Sequence, residues 1–147
     1  INEIIIEQAQ ELFSNKFKEN YHSFDVSDFD ISFARGLSLE DGSATITEFT
    51  ANIISSSLIT YSNKNKPFNV LLCGGGRKNK FLIERIKKKI SKDLILEEID
   101  NYGINGDFVE SQAFGFLAKR SVLNLPNSFP KTTKCISETI GGEIIRY

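Results

Sequence analysis

The chain has 147 residues, 40% of them hydrophobic and 25% charged, a balance that suits one globular domain able to bury a core. A formal charge of −1 excludes a general attraction to nucleic acid or anionic membranes, and no apolar run approaches the ~20 residues needed to span a bilayer. Cys73 and Cys135 form no CxxC pair and His22 is the single histidine, which excludes a zinc site, a disulfide framework and an obvious Ser-His or Cys-His nucleophile pair. The reading is of a cytoplasmic protein with reduced thiols and no metal ligands of its own.

In chain order, "EIIIEQAQELFSNKF" (residues 3–17) places Ile5, Ile6, Ala9, Leu12, Phe13 and Phe17 at helical spacing, predicting an amphipathic helix. "YHSFDVSDFDISFARG" breaks around Asp and Ser and reads as a connecting excursion with a short strand near Phe29 to Phe33. Ser38 and Asp41 stand in a capping-box relation, with Asp in place of the usual Glu or Gln. They open a long helix whose Ile46, Phe49, Ile53 and Leu58 supply a buried face. After "NKNKP", the run "FNVLLCG" is of the kind found in buried parallel strands.

Three glycines, Gly74, Gly75 and Gly76, lead from that strand into "KNKFLIERIKKKISKD", a helix with Leu82, Ile86 and Ile90 on one face and Glu84 four residues before Lys88. "LILEEI" gives a second strand, and "GDFVESQAFGFLAKRSVLN" a last helix with Val109, Ala113, Phe116 and Leu117 near helical spacing. Strand, helix, strand, helix predicts an α/β fold with a right-handed parallel crossover. The tail, with Pro126 and Pro130, ends in "GGEIIRY", read as an edge strand. The Lys87 to Lys89 run reads as a solvated helix face.

The glycine run fits neither a P-loop nor GxGxxG. At the carboxyl end of a strand in an α/β sheet, however, glycines let main chain approach a ligand, and a following helix N-terminus favours a phosphate or ribose. A structural turn is the competing reading. Asn105, Asp107 and Glu110 crowd the start of the last helix, where crossover topology would put them at the same sheet edge. Acidic residues there either serve a ligand or cap the helix.

"LEDGSATITEFTA", "LLCGGGRKN" and "GINGDFVESQAFGFLA", in this order and approximate spacing, resemble the C-terminal half of the anhydro-N-acetylmuramic acid kinase family. The resemblance runs from about Phe29 to Leu125; the tail matches loosely and residues 1–28 hardly at all. It implies the actin-like ATPase (ribonuclease H-like) fold shared by sugar kinases, heat-shock chaperones and actin, with residues 1–147 forming one partial domain, a C-terminal lobe. It further implies that Gly74, Gly75 and Gly76 pass beside the adenosine and inner phosphates of ATP, that Asn79 opens the next helix nearby, and that Glu110 faces the sugar.

The implied reaction is ATP- and Mg2+-dependent: the 1,6-anhydro ring of the sugar is opened and the product phosphorylated to N-acetylmuramic acid 6-phosphate in peptidoglycan recycling. The sugar and ATP are the implied partners, without nucleic acid or membrane. An open sheet edge leaves a homodimer as a possible arrangement. No segment of the chain resembles the family's phosphate-gripping N-terminal lobe or the motif carrying its catalytic aspartate. With Ile1 at its start and no methionine, the chain reads as a fragment, inactive alone, without the catalytic base. The alternative is a non-catalytic nucleotide-binding or interaction module of the same fold, and the length of the natural reading frame discriminates the two.

Overall fold

The computed structural model describes residues 1–16, 26–62 and 67–145. They form two compact units, Ile1–Glu98 and Ile99–Tyr147. Phe17 and His22 lie outside the described residues.

The first unit opens with helix α1 (Glu3–Lys16), whose first turn is closed by Asn2: its side-chain oxygen accepts from the Ile5 N–H at 3.2 Å. Ile6 and Ala9 are buried, but Leu12 is exposed, so the apolar stripe is narrower than its sequence spacing suggests. The strand expected near Phe29 to Phe33 does not form. Short 3-10 turns occupy Val26–Asp28 and Ser32–Ala34 instead. Asp30 is the local cause: its carboxylate accepts from the Ser32 N–H at 2.7 Å and the Ser32 hydroxyl at 2.8 Å, a local bonding pattern that competes with a strand ladder. The aromatic residues are nevertheless used, with Phe29 stacked on Phe13 at 5.6 Å and Phe33 against Phe49 at 5.0 Å.

Helix α2 (Leu39–Tyr61) starts where the capping signal puts it: the Ser38 hydroxyl accepts from the Asp41 N–H at 3.1 Å. Asp41, one methylene shorter than Glu, meets the Ser38 hydroxyl at 3.4 Å. The buried residues of α2 are Gly42, Thr45, Glu48, Phe49, Ala51 and Ser55, while Ile46, Ile53 and Leu58 are only half-buried. The helix packs against both α1 and α3 (Lys80–Lys89). Small and polar side chains therefore take positions that a purely apolar pattern overlooks. Thr45, for example, accepts from the Asn2 N–H at 3.0 Å.

Strands β1 (Phe68–Leu72) and β2 (Leu94–Glu98) pair in parallel, from Phe68 opposite Leu94 to Leu72 opposite Glu98, with α3 between them in the chain. This is the expected α/β arrangement, a two-stranded parallel sheet with helices. The strands are less buried than their apolar composition suggests: Leu94 is buried, whereas Phe68, Leu71 and Ile95 are exposed.

In the second unit a 3-10 turn (Ile99–Tyr102) precedes α4 (Val109–Val122), and a single turn, α5 (Pro130–Thr133), follows with Pro130 at its start. Helix α4 forms where the spacing of Val109, Ala113, Phe116 and Leu117 predicts one, but none of its residues is buried, and Phe114 and Phe116 are exposed. The tail carries no edge strand over 141–145 but is tied down otherwise. Ser128 and Thr139 form an isolated antiparallel bridge, and Asn127 Oδ1 accepts from the Gly141 N–H at 2.8 Å while its Nδ2 donates back to the Gly141 carbonyl at 3.1 Å.

Among the described residues no helix is long and apolar enough to cross a membrane. Cys73 and Cys135 are free thiols.

Candidate functional site

The three glycines leave the carboxyl end of β1 and differ in what the chain requires of them. Gly74 has φ +74° and ψ 179°, a conformation open to glycine and costly for any L side chain. Gly75 and Gly76 enter a 3-10 turn (Gly75–Lys78), and a Cβ built on either meets nothing within 4 Å. The fold thus explains the first glycine but not the other two.

The helix does not begin directly after the glycines, as the sequence suggested. The 3-10 turn intervenes, and Asn79 is the N-cap of α3, its Oδ1 accepting from the Leu82 N–H at 3.1 Å. Asn79 therefore opens the helix, with its side-chain oxygen already engaged there. The turn closes through the Arg77 N–H to the Gly74 carbonyl at 3.4 Å and the Asn79 N–H to the Gly76 carbonyl at 3.1 Å. The Gly75 and Gly76 N–H groups meet no acceptor among the described residues.

Sequence reasoning missed two interactions, one that holds this turn and one that holds the helix after it. Arg77 Nη1 donates to the Gly74 carbonyl at 2.8 Å, bridging the entry of the turn. Behind it, buried Glu48 of α2 receives α3: its carboxylate accepts from Arg85 Nε, from Arg85 Nη2 at 2.8 Å and from Lys89 Nζ at 2.7 Å. The Arg85 hydrogen bonds hold the Glu48 carboxyl at a pKa of about 2 against an ordinary 4.5, outweighing burial, which pushes the other way; Lys89 adds to the lowering. Lys89 thus leaves the solvated face to which the lysine run assigned it. Lys88 stays there, 2.6 Å from Glu84, as the four-residue spacing predicted. Glu48, the sixth residue of "SATITEFTA" and the one before Phe49, was legible as a charge beside the apolar face of that helix, the one sequence signal that could have found it.

Glu110 lies in the first turn of α4, exposed, and makes no hydrogen bond or ion pair among the described residues. The capping reading of this stretch is corrected in one respect. The N-cap is Phe108, with no side-chain cap, so Asp107 does not fill that role. The turn before it is shaped instead by Asn105, whose Oδ1 accepts from the Asp107 N–H at 3.0 Å, and by Asp100, which accepts from the N–H of buried Gly106 at 3.2 Å. Glu110 is thereby presented from a hydrogen-bonded frame, placed to complement the helix dipole and free to meet a ligand.

A family model described as anhydro-N-acetylmuramic acid kinase matches residues 13–146. The chain belongs to the anhydro-N-acetylmuramic acid kinase family. The match reaches further at both ends than the Phe29 to Leu125 stretch read from motifs, taking in the tail. A relative from Pelagibacter ubique named anhydro-N-acetylmuramic acid kinase is 45% identical over 147 residues, 99% of this chain and 39% of that protein. One from Zymomonas mobilis with the same name is 38% identical over 122 residues, 83% of this chain and 32% of that protein. The chain thus spans about a third to two fifths of the length of these curated anhydro-N-acetylmuramic acid kinases.

Proposed function

We propose that the chain forms the adenosine-side wall and one sugar-side carboxylate of an ATP-dependent kinase acting on 1,6-anhydro-N-acetylmuramic acid, within the actin-like ATPase fold and in the cytoplasm. The observation that carries this reading is the glycine turn. Gly75 and Gly76 lack side chains where the chain itself has room for them, and their N–H groups meet no acceptor among the described residues. That is a surface a nucleotide can lie against.

In this reading water opens the bond between the anomeric carbon and O6, and the freed O6 hydroxyl takes the γ-phosphoryl group, giving N-acetylmuramic acid 6-phosphate and ADP in peptidoglycan recycling. Bound Mg-ATP supplies the phosphoryl group. The chain's own share is positional: Asn79 and the Glu48 cluster fix the helix behind the turn, the glycine N–H groups donate to the nucleotide, and Glu110 orients the sugar. In this reading Mg2+ enters with ATP, and no residue of this chain is assigned to it. The base that activates water is assigned to the part of the kinase outside this chain, as is closure of the cleft.

The test is Gly75→Val in the complete kinase. A branched side chain beside the adenosine raises the KM for ATP at least tenfold, with far-UV circular dichroism and thermal midpoint unchanged. A folded variant with the parent's KM would reduce the loop to a turn.

A further inference from the structure

We infer that Arg77 is a positioning residue for nucleotide binding: by holding the Gly74 carbonyl it fixes the plane of the Gly74–Gly75 peptide and so keeps the Gly75 N–H available as a donor to a nucleotide oxygen. The inference rests on the nucleotide reading of the glycine turn and assigns a role to a residue outside it.

Every described peptide is trans, so the carbonyl of Gly74 and the N–H of Gly75 point in opposite directions from one rigid plane. Whatever holds the oxygen therefore aims the N–H. The oxygen is held twice by Arg77, through the guanidinium at 2.8 Å and the backbone N–H at 3.4 Å, and the longer of these is a weak bond. The Gly75 N–H is turned away from both and meets no acceptor among the described residues.

Reversing this plane needs only concerted rotation about ψ of Gly74 and φ of Gly75. In most sequences a Cβ on either side would resist it. Here both flanking residues are glycines, and a Cβ at either would find open space, so neither side chains nor neighbours oppose the flip. The half-buried Arg77 guanidinium supplies the restraint that the glycines cannot. Because that guanidinium donates back onto the main chain, it acts on the nucleotide through the peptide.

The experiment compares Arg77→Ala, Arg77→Lys and Gly75→Val in the complete kinase, measuring ATP binding by calorimetry, steady-state kinetics and thermal midpoint. Loss of a charged donor to one carbonyl predicts for Arg77→Ala about a tenfold rise in both the Kd and the KM for ATP. It predicts an unchanged kcat, an unchanged thermal midpoint and partial recovery in Arg77→Lys. Arg77→Ala binding ATP normally while Gly75→Val does not would overturn the role of Arg77 and leave the turn as a nucleotide site. Normal binding by both variants would overturn the nucleotide reading itself. A fall in kcat as large as the rise in KM, or a lowered midpoint that Arg77→Lys does not recover, would also overturn the inference, making Arg77 a direct phosphate contact or a purely structural residue.

Discussion

Glu48→Gln tests how the helix behind the glycine turn is held. The substitution keeps the shape of the side chain but removes the charge that faces Arg85 and Lys89. Glu48 is 5% exposed, and its carboxyl is lowered from 4.5 to about 2 chiefly by the Arg85 hydrogen bonds. A depression of that size corresponds to about 3 kcal/mol of stability. Because the folded pKa lies below the unfolded one, this contribution is complete above about pH 4.5, is lost as pH falls toward 2, and is absent below. Urea denaturation of parent and variant, followed by circular dichroism, should therefore show Glu48→Gln destabilised by roughly 2–3 kcal/mol at pH 7, with the difference shrinking as pH falls through that window. Subtracting variant from parent removes the titration of the other carboxylates. A penalty below about 0.5 kcal/mol at pH 7, or one equally large at pH 7 and pH 2, would refute the account of Glu48 as the charged anchor of α3.

The glycines should separate by substitution: Gly74→Ala, at φ +74°, should cost about 1–3 kcal/mol in the same assay, whereas Gly75→Ala should stay within about 0.5 kcal/mol. Glu110→Gln in the complete kinase should lower kcat at least tenfold, leaving ATP affinity and thermal midpoint unchanged, because the side chain has no partner among the described residues; loss of stability with turnover intact would return Glu110 to a helix-dipole role. A preparation verified by mass to contain only these 147 residues should not phosphorylate the anhydro sugar above background, and turnover by it would overturn the assignment of the base to another part of the kinase.

The local grammar of the chain was readable where one interaction decides the outcome. Ser38 capped α2, Glu84 met Lys88, and the run from Phe68 to Leu72 paired in parallel with Leu94 to Glu98, while Asn79, placed at the start of α3 by the family resemblance, caps it. Reading failed where a polar side chain overrode an apolar pattern. Asp30 turned an expected strand into 3-10 turns, Glu48 drew Lys89 out of a solvated lysine run, and Asn127 held Gly141 where a strand was expected. At the glycine turn the sequence marked the three residues but not their inequality. Only backbone angles show that Gly74 is demanded by the fold while Gly75 and Gly76 are not. Arg77 was equally hidden, since a charge next to a glycine run gives no sign that it bends back onto a carbonyl three residues earlier.

The central claim, that the main chain at Gly75 and Gly76 lies against the nucleotide, is tested most directly by nuclear magnetic resonance of the complete kinase labelled with 15N-glycine and titrated with a non-hydrolysable ATP analogue. The account predicts that the Gly75 and Gly76 amide resonances shift downfield at saturation as their N–H groups, without acceptors among the described residues, gain them, and that Gly36 and Gly42, outside the glycine run, stay in place. Saturable binding of the analogue with the Gly75 and Gly76 resonances unmoved would contradict it.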